Sequence, residues 1–440
     1  MSEIHLKVYS DRSELILAEG GVEEFSEGVM STAAKERYKR IVAQLGNCYL
    51  KNQILFCRDN FTNIDFSRLT QEHRLILNKL VNSVTSEVGR ALIGLSILQL
   101  CVKSIEPEQS IRLHKGSSST RDFSWCEGVS MRSLDKQFIT PVLREYELLT
   151  LNADGFMMTR SLAENYPYTK VYKANLRGAK LEWINLVEAI ERNEIITAIA
   201  LQYILSQLLN QATNFKKLAI SAIAKLEECK KRELIDKSFV YNFVVRHIEI
   251  SNYAARLMEI SIHALMQAMQ EQEVFSDLIL KELSQMRSAN KKHGNIADIE
   301  LLNNRQIVEA WDAKYGKAYL RDEIEELSEK LEIHPAVQRA GFVTSVTPER
   351  VDELKARCEE IENQYGISIE ILTFDTWVEE QFQRSLLTGA TDEEKLATAW
   401  ITAYVESLAQ QRREIAPIDE PCYHWLLSLD NILSQNSSSN

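Results

Sequence analysis

Between Leu181 and Met286 the chain contains neither proline nor glycine. The two residues that most readily break a helix are thus missing from a stretch rich in Leu, Ile, Ala, Glu, Lys and Gln. Apolar residues recur there at spacings of three and four, as in Leu201, Leu205 and Leu208, then Val245 and Ile248. The expectation is a helical bundle or scaffold over residues 181–276. Met258, Met266 and Met269 read as packing residues rather than a cofactor box, and His247 and His263 as satisfied side chains in or beside the bundle. Only 15 Gly and 7 Pro occur in 440 residues, which argues against long linkers and low-complexity architecture.

Residues 1–69 carry no readable function; a short strand is expected in 7–16 and a helix over 32–45. One or two helices follow over 70–102, with Leu77, Leu80, Val81 and Val84 at helical spacing. Residues 104–123 break that pattern with Arg112, His114, Lys115 and Arg121 among small polar residues, as a basic loop or a plain connector. A helix capped by Ser133 and running to Tyr146 comes next. Two short strands, 148–151 and 156–159, then flank a turn at 152–155. A helix followed by such a hairpin resembles the end of a winged helix-turn-helix, and residues 70–180 are read as a winged-helix-like DNA-binding module. In that reading Arg132, Lys136 and Gln137 lie near the start of a recognition helix, and Arg160 lies just past the wing. Pro141 departs from a regular helix, and winged helices also serve as protein-contact modules. Further on, Lys170, Lys173, Arg177 and Lys180 alternate with Tyr166, Tyr168 and Tyr172. These residues could hold phosphate and stack on sugar or base, or cover a core with their lysine stems.

From residue 277 helices and strands alternate: helix 277–287, strands 296–302 and 307–312, helix 319–331, strand 341–345, helix 348–365 with proline in its first turn, and strand 368–374. This implies an α/β core over residues 277–375, followed by helices and a polar tail over 376–440. The whole is an α+β chain, predominantly helical. At the centre of the alternation is Asp298, then thirteen residues, then Asp312-Ala313-Lys314.

This placement, with Asp298 opening one strand and Asp312 and Lys314 ending the next, resembles the PD-(D/E)xK nuclease superfamily, which includes most restriction endonucleases. The resemblance covers residues 280–375, and Ala297 replaces the proline of the name. It implies a restriction-endonuclease-like core in which Asp298, Asp312 and the main-chain carbonyl of Ala313 hold Mg²⁺, while Lys314 orients or deprotonates the attacking water. The residue chemistry is consistent on its own terms. A hard cation prefers carboxylate oxygens and retained water, and phosphodiester cleavage needs both charge stabilisation and an activated water. Glu282, read as standing on the preceding helix, resembles an extra acidic residue that could hold a second ion. Glu300 and Glu309 compete for such a role, and strand alternation puts Glu300 on the face of Asp298. Lys317 and Tyr319 could touch the scissile strand. The plain alternative is that Asp312 and Lys314 form an ordinary surface ion pair. Asp375 and Trp377 are expected only to cap a following helix.

The net charge of −12 opposes nucleic-acid binding in bulk, but a binding face is local, and acidic helices such as residues 322–332 can carry the excess. No signal peptide is visible. The apolar stretches 91–102 and 195–209 fall short of a membrane span, and seven scattered Cys show no zinc spacing. A reduced, cytoplasmic protein is expected. The resemblance implies a Mg²⁺-dependent type II restriction endonuclease acting on double-stranded DNA, a homodimer if its site is palindromic, with a protecting DNA methyltransferase as genetic partner. Two rivals stand beside it: another nuclease of the same fold, for repair, transposition or other defence, and a DNA-binding protein that no longer cuts.

Overall fold

The computed structural model describes residues 3–114, 125–149, 162, 166–176, 178–283, 295–410 and 421–437. It is an α+β protein, about 59% helical, with two small sheets among the described residues. By internal contacts the chain forms two compact units, divided within one long helix between Asn214 and Phe215.

The first unit begins with an antiparallel meander, β1 (His5–Val8), β2 (Arg12–Ile16) and β3 (Val22–Ser26), in sequence order. The single strand expected over 7–16 is therefore a hairpin. Ser10 and Asp11 are turn formers, and the Tyr9 N–H donates to the Arg12 carbonyl across the bend (2.8 Å). Leu15 and Phe25 pack with Leu113 and Trp125 in a small satellite core. Helices α1 (Thr32–Gly46), α2 (Tyr49–Asp59), α3 (Gln71–Asn82), α4 (Glu87–Ile105) and α7 (Lys180–Glu191), with the first part of α8 (Thr197–Lys231), supply the main core of this unit. Ser31, Thr70 and Ser86 cap α1, α3 and α4 through their hydroxyls. Residues 88–105 of α4 are apolar and long enough to cross a membrane by composition, yet 83% of that stretch is buried. A helix surrounded by others is apolar on every side for that reason alone. Its buried Gln99 is satisfied, donating to the Ile111 carbonyl (3.1 Å) and accepting from the Trp183 indole (3.0 Å).

The helix expected from Ser133 instead begins at Met131, so Ser133 lies inside it rather than capping it. It comes in three pieces: α5 (Met131–Leu134), a π segment (Asp135–Ile139) and α6 (Thr140–Glu145). The wide turn explains Pro141. Its ring enters where the regular hydrogen-bond ladder is already interrupted and a new first turn begins. Leu148 and Leu149 are buried and not in a strand. The rest of the expected hairpin lies outside the described residues.

The second unit holds the remainder of α8, then α9 (Lys237–Ile250) and α10 (Ala254–Glu271), and a five-stranded sheet of order β4 (Ile279–Leu280), β5 (Ile299–Asn303), β6 (Gln306–Lys314), β7 (Arg339–Thr344), β8 (Ser368–Thr373), with α10 against β4, β5 and β6. β4, β5 and β6 are antiparallel; β6, β7 and β8 are parallel. The crossovers between the parallel strands are α11 (Arg321–Leu331) and α12 (Val351–Tyr365), which pack on one face with Ala310, Ala340 and Phe342. The other face, with Ile299, Leu301, Trp311 and Val343, packs on a helical layer of α10, α13 (Phe374–Thr388), α14 (Glu393–Gln410) and α15 (Cys422–Ser437). A sheet covered on both faces accounts for apolar runs such as Ala340–Val343 with no polar alternation. The helix expected over 277–287 is not seen in its described part: Ile279 and Leu280 pair with Leu302 and Leu301 as the edge strand. Asp375 lies in the first turn of α13, but the cap is the Thr373 hydroxyl, and Trp377 is fully buried against Trp311.

Gly341, in the middle of β7, is where this packing leaves no room. A Cβ there would lie 2.4 Å from the Glu370 carbonyl oxygen on β8 and 2.7 Å from the Trp311 ring. Gly341→Ala is expected to destabilise the protein by about 2–4 kcal/mol, as overpacking against backbone does. A urea unfolding midpoint equal to that of the parent would contradict this packing.

Candidate active site

Residues 295–298 approach β5 through a bend, and one buried carboxylate holds that bend. Glu300, 1% exposed, accepts from the N–H groups of Ile296 (2.6 Å) and Ala297 (3.2 Å). Its other oxygen takes the Lys281 ammonium (2.6 Å), which also donates to Asn295 Oδ1 (2.8 Å). From α11, Lys330 closes the bend by donating to the Ile296 carbonyl (3.0 Å). Strand alternation does not carry Glu300 to the side of Asp298, because Asp298 precedes the strand. The role of Glu300 is to shape the segment that presents Asp298.

Asp298 then meets the end of β6. Ile299 pairs with Trp311, so the preceding residue comes beside Asp312 and Ala313. The Ala313 N–H donates to Asp298 Oδ2 (3.1 Å), and the Asp298 and Asp312 carboxyls share a hydrogen bond. Two residues along, on the same side of the strand, Lys314 Nζ lies 2.6 Å from Asp312 Oδ2. This pair is largely buried, with side chains 23% and 15% exposed, and so is no ordinary surface ion pair. Burial pushes the Asp298 carboxyl well above the usual carboxylate range, the Asp312 charge and their hydrogen bond push it further, and Lys314 only partly opposes them. Burial pulls Lys314 down, but Asp312, Asp298 and Glu323 more than compensate, and its ammonium is held more tightly than usual.

A third acid comes from an element the sequence reading assigned to scaffold. Glu259 on α10 raises the Asp298 pKa by its charge. Its own pKa is raised by burial, while Arg256 (2.6 Å) and Lys314 oppose that shift and Asp312 adds to it. Arg256 and Glu259 are charged neighbours, i and i+3, within an otherwise apolar face of α10. A buried Arg in a packing helix was the one signal that could have drawn attention to them. Glu282 is exposed and follows β4; it does not stand on a helix there. Glu309 is buried as an ion-pair partner of Arg384 (2.9 and 3.0 Å) and accepts from the Trp311 indole (2.8 Å), so it braces the sheet.

Among the described residues no three His, Cys, Asp or Glu side chains converge as a ready-made metal cluster. The donor set on offer is two carboxylates in hydrogen-bond contact with the charge of a third nearby. Burial and the neighbouring Asp312 charge favour the protonated form of Asp298, and hard oxygen donors of this kind suit Mg²⁺, which keeps several waters of its own.

The other expected contact residues are spread over both units. Arg132, Lys136 and Gln137 are exposed on the α5 and π segment. Arg160 lies outside the described residues. Lys170 and Lys173 are exposed, and Lys173 sits over the Tyr166 ring (5.5 Å). Tyr168 and Tyr172 are buried against Trp183, and Lys180 donates to the Tyr172 and Ala174 carbonyls (2.8 and 2.6 Å). Those two rings are core and not a stacking platform for bases. Lys317 pairs with Glu323, and the Tyr319 hydroxyl donates to Glu353 (2.7 Å). His247 is buried between the Tyr404 hydroxyl (2.8 Å) and the Trp425 carbonyl (2.9 Å), with its pKa pushed down to about 4 by burial. It and the buried Met258, Met266 and Met269 are packing groups. No protein-family model matches the chain, and no curated protein sequence matches it either.

Because its native pKa is raised, Asp298 holds a proton in the fold that it loses on unfolding. Stability is therefore greatest below the unfolded carboxylate value and falls as pH rises through the native one. Asp298→Asn removes this loss. Without divalent ions the variant is expected to be more stable than the parent by about 1–2 kcal/mol at pH 8, with the advantage vanishing near pH 4. Equal thermal unfolding at pH 8 would mean that the two carboxylates do not burden each other.

Proposed function

We propose that the protein is a Mg²⁺-dependent endonuclease of double-stranded DNA, of the restriction-endonuclease type. The observation that carries the reading is the buried Asp298–Asp312 pair with Lys314 at 2.6 Å from Asp312. The mixed sheet supports it further: antiparallel β4–β6, then parallel β6–β8 with helical crossovers, in the order expected of the PD-(D/E)xK core. Exposed Arg132, Lys136, Gln137, Lys170 and Lys173 offer the charge and hydrogen-bonding groups that DNA contact through a winged-helix-like module needs.

In this reading Asp298, Asp312 and the Ala313 carbonyl hold Mg²⁺, with Glu259 as the further acid for which Glu282 was the expected candidate. The ion supplies Lewis-acid stabilisation of the phosphoryl oxygens and a more acidic water. Lys314, its ammonium held by the carboxylates around it, acts as a cation: it orients the attacking water and steadies charge on the phosphorus oxygens. Water oxygen would bond to phosphorus as its proton passes to solvent, the bridging P–O bond would break, and the departing oxygen would leave with the electron pair and take up a proton from solvent. Arg256 holds the Glu259 side chain in place. One site cuts one strand, so cleavage of both strands at a palindrome requires a homodimer, and a host making the enzyme requires a methyltransferase that protects its own DNA.

Unmethylated phage DNA incubated with the protein and Mg²⁺ is expected to give discrete fragments. Asp312→Ala or excess EDTA is expected to reduce the rate by at least about a thousandfold. A smear or structure-dependent cuts would move the reading to another nuclease of the same fold. DNA bound but intact across several divalent metals and salt concentrations would overturn cleavage.

A further inference from the structure

At the far end of the sheet from Asp298 and Asp312, the β5–β6 hairpin and the loop after α11 enclose a cleft of about 310 Å³. Its cationic lining is Lys281 and Arg305, with His334 beside them, and its apolar lining includes Leu302, Ile307 and Ile333. Along β6 the Gln306 end of the cleft lies roughly 20 Å from Asp312, and Lys281, held by Glu300, is the lining residue nearest the acidic pair.

Three observations mark this cleft. The hairpin turn places Asn304 and Arg305 at φ +47° and +67°. Two consecutive left-handed residues make the tight hairpin turn that favours Asn followed by Gly. Arg in the second position carries a backbone cost that Gly would not. Second, among the described residues the Arg305 and His334 side chains make no hydrogen bond or ion pair, whereas Arg339 on β7 and Arg384 on α13 are held by carboxylates. Lys281 uses two of its three N–H donors on Asn295 and Glu300, leaving one for a ligand. Third, Ile333 is 72% exposed beside these groups, an apolar wall next to a cationic one.

We infer that this cleft binds a small phosphate monoester carrying a ring, of the nucleoside monophosphate class. The Arg305 fork takes the phosphate in a bidentate contact, Lys281 and His334 supply further donors, and the ring lies on Leu302, Ile307 and Ile333. The cleft volume lies at the lower end of small-ligand sites, enough for a mononucleotide and too small for a duplex. This site is separate from the acidic pair and stands whether or not the protein cuts DNA.

Calorimetric titration of the full chain with adenosine 5′-monophosphate, with inorganic phosphate and with adenosine tests it. The monophosphate is expected to saturate at one per chain and to bind at least tenfold more tightly than either fragment. Arg305→Gly suits the positive φ, so it is expected to raise the unfolding midpoint while weakening the monophosphate at least tenfold. Absent binding, binding no tighter than that of inorganic phosphate, or a glycine variant that binds like the parent overturns the proposal.

Discussion

The candidate site depends on the buried Glu300 carboxylate. Its two oxygens are divided between the backbone N–H groups of Ile296 and Ala297 and the ammonium of Lys281. A carboxylate removed from water in this way must be nearly fully satisfied to be tolerated, and here it is satisfied by the bend it holds. That bend ends at Asp298, and the pairing of Ile299 with Trp311 brings Asp298 to Asp312. Without Glu300, the Ile296 and Ala297 N–H groups would lose their acceptor, Lys281 would keep only Asn295, and the approach of the two acids would lose its anchor.

The second constraint is the close contact beneath the strand that carries Asp312 and Lys314. Trp311 lies between Gly341 of β7 and Trp377 of α13, and its indole donates to Glu309, which is in turn held by Arg384. β6 is thus fixed from the core side, while its alternate residues present Asp312 and Lys314. A rigid strand is what a site of this kind needs, because a misplacement of about 1 Å between catalytic groups is costly in rate.

Much of this was legible in the chain. Asp298, Asp312 and Lys314 stand at neighbouring strand ends in the structure, because alternation and turn chemistry are local signals that survive folding. What was not legible depended on distance in sequence or on tertiary context. Glu259 lies 39 residues before Asp298, on a helix whose pattern reports only packing. The edge strand at Ile279 and Leu280 exists because β5 pairs with it, a tertiary effect that outweighed helical propensity over residues 277–283. Basic residues alternating with tyrosines read equally as a nucleic-acid surface or as core cover, and burial of Tyr168 and Tyr172 against Trp183 decides for core at those two rings. The π segment before Pro141 shows how a local irregularity absorbs a residue that a regular helix would reject.

The most direct measurement of the central claim is the proton balance of Mg²⁺ binding, by calorimetry at pH 7 in two buffers of different ionisation enthalpy. If Asp298 and Asp312 share a proton and together form the metal site, binding releases protons, and Asp298→Asn both weakens binding and abolishes the release. Mg²⁺ binding that releases no proton, or that is unchanged in Asp298→Asn, would contradict the assignment of this acid pair as the metal site.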